Sequence, residues 1–299
     1  MAGPIDLDAL RTFHAVHRTG SMTAAAALLG VSQPTVTARL QQLEGQAGRR
    51  LFDRGAYGCR PTAAANELAG RLLAPLAELE SIAAQLSGED DLSQATLRIG
   101  APAELTERVL APAFARLAAT RMRVRLTLGL ADDLLTQLAT GHVDVVVSTV
   151  KPPARTAWQA IDDEEFVLIA SPGLASGIDQ DALLREPARV LGDLPRIAID
   201  EQQSVVRRWW RHVLGTPPPG EPRLVVPDLR AAQALVEAGA GVSVVPRYLC
   251  ADAIAAGRLV VLLEPEDVPI NTLYLVTLPV NRHRPPIAAA WDVLIAPRG

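Results

Sequence analysis

The hydrophobic pattern at the start of the chain predicts two short helices. Apolar side chains recur about every three residues between Leu7 and Arg18, which is the spacing of an amphipathic helix, and Gly20 ends this pattern. Ser21 then offers a side-chain oxygen as the N-cap of an alanine-rich helix, which runs from Met22 to Leu29.

A third helix is predicted after a tight turn at Gly30. Ser32 caps it, Pro34 occupies its first turn, where a missing N–H costs nothing, and the apolar pattern continues to about Glu44. Two short helices joined by a glycine turn describe a helix-turn-helix. Because any small helical domain can contain this geometry, the turn alone leaves DNA binding open.

The next two segments predict a hairpin and a long helix. Residues 51–62 combine two glycines and two arginines with an apolar pair, the composition of a short hairpin or wing. A leucine-rich stripe then predicts a long helix with apolar residues at spacings of three and four: Leu68, Leu72, Leu76, Leu79, Ile82 and Leu86. We interpret this stripe as a dimerisation surface, and a helix that packs on its own domain is the alternative. Pro75 should kink or break the helix.

Beyond a polar hinge at residues 88–91, short apolar strands alternate with helices. The predicted strands are Thr96 to Ile99, Val124 to Leu128, Val143 to Ser148, Phe166 to Ala170, Ile197 to Ile199, Val242 to Val245, Leu259 to Leu262 and Leu273 to Thr277. The predicted helices are Leu105 to Leu117, Asp132 to Thr140, Val205 to Leu214 and Leu229 to Ala238. This alternation predicts an α/β body with mainly parallel sheets, and two such sheets with crossing connections would form a cleft.

The composition is that of a globular protein of about two domains. The chain has 299 residues, 49% of them hydrophobic, and its longest apolar runs fall far short of the roughly 20 residues that a membrane span needs. Cys59 and Cys250 are isolated from each other, so neither a disulfide framework nor a thiolate metal site is expected. The first residues lack the features of a cleaved signal, and we therefore expect a soluble, cytoplasmic protein.

The distribution of charge favours DNA binding by the N-terminal part of the chain, residues 1–60, which we call the head. The formal charge is −4, yet residues 1–60 carry seven arginines against four acids, and no acid occurs between Asp8 and Glu44. Hydrogen-bonding side chains on the outward face of the third helix are placed to read bases: Gln33, Thr35, Thr37 and Arg39. Three further residues of the predicted interface would position the DNA backbone: Ser32, Arg54 and Arg60. Pro34, in the first turn of the third helix, is also assigned to this interface.

The head resembles the winged helix-turn-helix of the LysR-type transcriptional regulators. The matching runs follow in one ungapped order: Leu10-Arg11-Thr12-Phe13, Gly20-Ser21-Met22-Thr23-Ala24-Ala25-Ala26, Ser32-Gln33-Pro34-Thr35-Val36-Thr37, Leu43-Glu44 and Leu51-Phe52-Asp53-Arg54. In the body, residues 141–145 and 236–246 look like signatures of the family's effector domain, which is similar to periplasmic solute-binding proteins. Ala38 departs from the family pattern, because many members have a polar or basic residue there.

The resemblance implies an α/β protein with three parts. Residues 1–62 would form the winged helix-turn-helix domain, residues 63–91 the linker or dimerisation helix with its hinge, and residues 92–299 the effector-binding domain. Within that domain, subdomain I would cover about residues 92–165 and 268–299, and subdomain II about residues 166–267. Assembly as a homodimer or homotetramer is implied as well.

The loops that follow the strands of the body form the candidate effector site, because open α/β sheets bind ligands there and at helix N-termini. The candidate residues are Ala101, Pro102, Ala103, Glu104, Leu130, Ala131, Ser148, Thr149, Asp200, Ser204 and Asp228. Many family members hold an anion with Ser or Thr in the first two loops, whereas here these loops are apolar or carry Glu104 and Asp132. We expect an uncharged, apolar or cationic ligand. Solvent-facing acids at helix N-termini are the alternative.

No sequence pattern supports catalysis, a cofactor or a metal ion. His14 and His17 lie on one predicted helix without a companion cluster of ligands, and the glycines at 239 and 241 precede a strand instead of following one. The acidic run at residues 162–165 is interpreted as a solvated loop. The run at residues 207–211 is interpreted as buried tryptophans with arginines at a surface or subunit contact.

The sequence therefore predicts a ligand-responsive regulator that binds double-stranded DNA in a sequence-specific manner. Its small-molecule effector is expected between the two subdomains of the body. The modest charge of each head favours binding by several heads at once, in a dimer or tetramer, and no membrane is expected as a partner. The alternative is a cytoplasmic small-molecule-binding protein or enzyme whose head only dimerises.

Overall fold

The computed structural model describes residues 6–55, 58–87 and 96–296. The chain folds into two compact units. The first unit comprises Met1–Ala101, Ala113–Gln159 and Tyr274–Gly299, and the second comprises Pro102–Pro112 and Ala160–Leu273. The predicted hinge at residues 88–91 lies outside the described residues.

The head of the first unit contains the predicted helices and hairpin. Its elements are α1 (Leu7–Thr19), α2 (Met22–Leu29), α3 (Gln33–Ala47), β1 (Phe52–Gly55), β2 (Gly58–Pro61) and α4 (Ala63–Ser87). The predicted N-caps are confirmed, because the Ser21 and Ser32 hydroxyl oxygens each accept a hydrogen bond of 3.3 Å, from the N–H groups of Ala24 and Thr35. The turn between α2 and α3 places Gly30 at φ 65°, a conformation that suits glycine.

A single apolar core holds the three helices and the hairpin together. Phe13 of α1, Leu40 of α3 and Phe52 of β1 are all almost completely buried within it. The Glu44 carboxylate also accepts the N–H groups of Leu51 at 2.8 Å and Phe52 at 3.2 Å. These two hydrogen bonds fix the hairpin relative to the end of α3.

The leucine stripe of α4 is divided between two environments. Leu68 and Leu72 pack, partly buried, against the core of their own head, and Leu76 is 2% exposed. Leu79 is 41% exposed, and the side chains of Ile82 and Leu86 lie outside the described residues. The first half of the stripe therefore contacts its own domain, which was the alternative interpretation.

Pro75 does not break α4. The helix is continuous from Ala63 to Ser87 with Pro75 inside it, and this proline is exposed. A proline in a helix removes one backbone hydrogen bond but stops the helix only where its ring cannot be accommodated.

The body consists of short strands and helices in alternation. In chain order they are β3 (Thr96–Ala101), α5 (Ala103–Leu105), a π-helical turn (Thr106–Leu110), α6 (Ala111–Ala118), β4 (Arg123–Leu128), α7 (Ala131–Ala139), β5 (Val145–Ser148), β6 (Ala157–Ala170), α8 (Pro172–Ala175), α9 (Gln180–Arg185), α10 (Pro187–Gly192), β7 (Ile197–Ala198), α11 (Ser204–Leu214), β8 (Leu224–Val225), α12 (Leu229–Glu237), β9 (Ser243–Pro246), α13 (Arg247–Ala255), β10 (Val260–Leu263), β11 (Ile270–Thr277), a 3₁₀ turn (Pro279–Asn281) and α14 (Pro285–Ile295). The α/β prediction is confirmed, although α8, α9, α10, α13 and α14 were not predicted.

The sheets are mixed, so the expectation of mainly parallel sheets was wrong. In the first unit β3 pairs in parallel with β4 and β5, but β11 pairs antiparallel with β5. In the second unit β7 and β8 are parallel, but β6 is antiparallel to both β9 and β10. The antiparallel pairs of the body all involve β6 or β11, the two long strands along which the chain passes from one unit to the other.

The second unit has its largest side chains in its core. Trp209 and Trp210 are 1% and 0% exposed, with ring centroids 5.4 Å apart, while Arg207, Arg208 and Arg211 beside them are exposed. The predicted arrangement of the run at residues 207–211 is thus confirmed for its tryptophans.

Two sequence interpretations of the second unit need correction. The acidic run at residues 162–165 is not a solvated loop but part of β6, and Glu164 within it is 4% exposed. The segment Pro102–Pro112 belongs to this unit, whereas the sequence placed it in subdomain I. An ion pair of 2.6 Å between Arg108 and Asp252 connects that segment to α13.

Candidate functional site

The face of α3 that points away from the head core is the candidate nucleic-acid interface. Val36, Leu40 and Leu43 are buried in the core. At 3.6 residues per turn, the opposite side of the helix carries a row of side chains that are all exposed: Pro34, Ala38, Gln41 and Gln42. Gln33 and Thr37 lie on one flank of this row and Arg39 on the other.

Gln41 and Gln42 are exposed on this face, although neither was among the predicted site residues. They follow Ala38 by three and four residues, so they lie on the same face of the helix as Pro34 and Ala38. This spacing was visible in the sequence. Glutamine amides donate and accept hydrogen bonds at base edges, so both side chains extend the predicted interface by one helical turn.

The first turn of α3 is organised by hydroxyl groups. The Ser32 and Thr35 hydroxyl oxygens lie 2.8 Å apart, and the Thr37 hydroxyl donates to the Gln33 carbonyl oxygen at 3.1 Å. The exposed Gln33 side chain accepts from the Thr23 hydroxyl of α2 at 3.3 Å. These contacts position the side chains of the helix start, where backbone N–H groups favour a phosphate.

Arg39 contacts the head itself. Its guanidinium donates to the Asp8 carboxylate of α1 at 2.8 Å, and the two side chains are 28% and 48% exposed. An exposed ion pair contributes about 0–1 kcal/mol, less than the about 1–3 kcal/mol of a bidentate contact with a base. DNA can therefore compete with Asp8 for this arginine.

Of the two wing arginines predicted to contact DNA phosphates, the structure describes the side chain of one, Arg60. Arg60 is exposed on β2, opposite the exposed Asp53 of β1. Arg54 lies in β1, but its side chain lies outside the described residues. Arg50, which the sequence analysis did not select, is exposed just before the hairpin.

The candidate effector residues of the first unit offer few hydrogen-bond donors. Ala101 and Ala131 are buried, and Leu130 is 67% exposed at the start of α7. The Ser148 hydroxyl is buried at the end of β5 and is engaged locally, donating to the Val150 carbonyl oxygen at 2.8 Å and accepting its N–H at 3.2 Å. Thr149, which follows it, is half-buried.

In the second unit, two of the candidate acids accept hydrogen bonds from N–H groups at the start of a helix. Asp228 accepts the N–H groups of Arg230 at 2.8 Å and Ala231 at 3.2 Å, and the Arg230 guanidinium beside it lowers the pKa of this carboxyl to about 2. Asp200 accepts the N–H of Ser204 at 3.0 Å and also contacts its hydroxyl. For both acids these contacts are with N–H groups at the start of a helix, where negative charge is favoured.

Glu104 differs from these two acids. It lies half-buried in α5, between Pro102 and the π-helical turn. Burial raises its pKa, and the negative charge of Asp228 adds to this effect. A carboxyl group in this situation is stabilised by a cation or by a hydrogen-bond donor.

Glu164 is a buried carboxyl group that the sequence analysis missed. It accepts hydrogen bonds from the Asn271 amide at 2.9 Å and the Tyr248 hydroxyl at 3.2 Å. Burial raises its pKa, and the charge of Glu104 raises it further. The partners of Glu164 come from distant parts of the chain, so only the tertiary structure could reveal this buried carboxyl group.

Among the described residues, no helix has the length and apolar character to cross a membrane, and no cluster of three or more His, Cys, Asp or Glu side chains could hold a metal ion.

The chain matches two family models. Residues 7–66 match the model of the bacterial regulatory helix-turn-helix protein, lysR family, and residues 90–296 match the LysR substrate binding domain. The first range covers α1 to the start of α4, and the second covers every described element of the body.

Relatives of similar length support the same assignment. The HTH-type transcriptional regulator AbaB of Streptomyces antibioticus is 40% identical over 294 residues, which cover 97% of each chain. ArgP from Mycobacterium tuberculosis has a similar fold, with a TM-score of 0.75 at 23% identity over 98% of this chain and 97% of that one. A full-length OxyR variant from Pseudomonas aeruginosa aligns with a TM-score of 0.76 at 21% identity, covering 98% of this chain and 94% of that one. The chain therefore belongs to the LysR family of bacterial transcriptional regulators.

Proposed function

We propose that this regulator recognises a specific operator through α3 and the wing, and that it responds to a small-molecule effector bound between the two subdomains of its body. The exposed row on α3 carries this proposal. It consists of small or amide side chains flanked by Gln33, Thr37 and Arg39, with no acid among them. A helix with such a surface fits the major groove, because its side chains match base edges and none repels phosphates.

Binding to DNA is tested by fluorescence anisotropy at physiological salt. The purified chain is titrated with DNA from immediately upstream of its own gene and with a shuffled sequence of the same composition. We expect the affinities to differ by about a thousandfold or more. Equal affinity of the folded protein for both sequences would contradict recognition of that site.

The Gln33→Ala variant tests the recognition surface. We expect it to weaken binding to the upstream DNA by about 1–3 kcal/mol and to leave binding to the shuffled DNA unchanged, since a base contact carries sequence information and a phosphate contact does not. Gln202→Ala, which changes an exposed glutamine of the body, is the matched control. The same loss in both variants would contradict the assignment.

The role of Arg39 follows from its pairing with Asp8. If the Arg39 guanidinium leaves Asp8 to contact DNA, Asp8→Asn removes the competing ion pair and favours that contact. Arg39→Ala removes the guanidinium and with it the contact. In the same titrations, Arg39→Ala should weaken specific binding, whereas Asp8→Asn should maintain or strengthen it.

We propose that the effector is neutral or cationic. The first-unit loops present apolar or locally bonded groups, and Glu104 and Glu164 of the second unit are carboxyl groups with raised pKa values. A dicarboxylate would meet repulsion at these positions.

A thermal-shift panel tests this preference. L-arginine, its neutral isostere L-citrulline and succinate are compared at equal concentration and ionic strength. We expect L-arginine or L-citrulline to stabilise the protein and Glu104→Gln to reduce that stabilisation, whereas any stabilisation by succinate should be unchanged by Glu104→Gln. Stabilisation by succinate that depends on Glu104, or no stabilisation by L-arginine or L-citrulline, would overturn the proposed preference.

Assembly as a dimer or tetramer is part of the proposal. The 41% exposed Leu79, on the outer half of α4, is the described residue of the stripe that is most available to a second copy. Burial of such a side chain at a subunit contact removes apolar surface from water.

A further inference from the structure

A cavity of about 360 Å³ lies inside the first unit, between the head and the body. Helices α1 and α2 contribute lining residues from the head, and β3, Asp144 just before β5 and the start of α14 contribute those from the body. This volume lies in the range of small-molecule sites, and no candidate effector residue of the body lines it.

The cavity wall carries far more positive than negative charge. Four arginines line it, namely Arg11 and Arg18 from α1, Arg98 from β3 and Arg284 just before α14. Among the lining residues that the structure describes, Asp144 is the only carboxylate. Its Oδ2 atom already accepts the backbone N–H of Arg98 at 2.8 Å and lies 3.7 Å from the guanidinium of the same residue.

Two buried nitrogen atoms at the cavity have no hydrogen-bond partner within the described part of the chain. One is Nε2 of His14, a side chain that is 8% exposed and lines the cavity, and the other is Nη1 of Arg98. Leaving a buried polar group without a partner is costly, and the cost is larger for a charged group. Both nitrogen atoms belong to side chains that line the cavity.

We infer that this cavity binds a small polyanion, a di- or tricarboxylate or a phosphate ester, which connects the helix-turn-helix to the body. Guanidinium groups bind carboxylate and phosphate oxygens in bidentate geometry, and arginines line this cavity from α1, from β3 and from the residue before α14. The apolar residues Leu29, Leu97 and Ile287 complete the wall and suit a ligand with a short carbon skeleton.

The anion is a free small molecule, not a DNA phosphate. Neither α3 nor the hairpin contributes a residue to the cavity, so the proposed recognition surface and this site are separate. The inference therefore goes beyond the proposed function, and it is tested without DNA.

The test is isothermal titration of the full chain with citrate, inorganic phosphate and chloride at constant ionic strength. We expect citrate to bind with a dissociation constant below about 1 mM, phosphate more weakly, and chloride without measurable heat. The variants Arg11→Gln and Arg284→Gln should each weaken citrate binding at least tenfold. Arg121→Gln, an exposed arginine of the first unit that does not line the cavity, should leave it unchanged.

A second measurement locates the anion. The imidazole signals of His14, followed by NMR through a pH titration, should report a higher pKa with citrate present, since an adjacent anion stabilises the imidazolium. No citrate binding below 10 mM, equal weakening in Arg121→Gln, or an unchanged His14 titration with citrate bound would each overturn the inference. Displacement of citrate by the DNA duplexes in a competition titration would assign these arginines to DNA and would also overturn it.

Discussion

Trp210→Ala is expected to destabilise the second unit by about 3–5 kcal/mol. The Trp210 side chain is completely buried, packs edge-on against Trp209 and belongs to the same core as Phe166, Leu191 and Val244. Truncation removes its transfer free energy and leaves a cavity that the surrounding β-strands cannot fill. Urea denaturation followed by far-UV circular dichroism measures the loss.

The matched control is Trp158→Ala. Trp158 is 47% exposed and makes one edge contact, with Tyr274. We expect this change to cost much less, because most of its ring is already in contact with water. Equal losses for the two variants would contradict the burial that the structure assigns to Trp210. Trp210→Phe should fall between them, since it retains most of the apolar volume.

Stability is expected to fall between pH 6.5 and pH 4 because of His14. Burial lowers the pKa of His14 from 6.5 to about 4, and the charges of Arg18, His17, His142 and Arg98 act in the same direction. The unfolded chain then binds more protons than the folded one in this pH range, so protonation favours unfolding as the pH falls. The full effect is roughly 3 kcal/mol, of which about 2 kcal/mol is present at pH 5.

His14→Gln should flatten this pH dependence. The free energy of unfolding is measured for the natural chain and the variant at pH 8, 6.5 and 5. The difference between them should shrink or reverse as the pH falls. His283→Gln, which changes an exposed histidine, should follow the natural chain. Parallel curves for His14→Gln and the natural chain would show that His14 is not the group responsible.

His14 lines the arginine-rich cavity and is also the group whose protonation causes this loss of stability. An anion beside His14 would raise the pKa of its imidazole and weaken the loss of stability at low pH. Citrate should therefore stabilise the protein more at pH 5 than at pH 8, which unfolding measurements in its presence can check.

The sequence by itself determined the head to within a few residues. Its helices depend on interactions between near neighbours, such as the Ser21 and Ser32 caps and the glycine at the α2–α3 turn, and these are visible in the order of residues. The burial of the two α11 tryptophans was also expected, from their place on a predicted helix of the acidic body. The family followed from these local patterns, because their order along the chain is itself the signature.

The tertiary structure alone decided which distant residues meet. Arg39 and Asp8 are 31 positions apart, and their ion pair follows from the way α1 crosses α3. Glu164 lies in an acidic run that is typical of a loop, yet it is buried by Tyr248 and Asn271, both more than 80 positions away. The arginines of the cavity likewise come from α1, β3 and the start of α14. Periodicity records which face of an element is apolar but not which partner covers that face, so contacts of this kind depend on the packing of the whole unit.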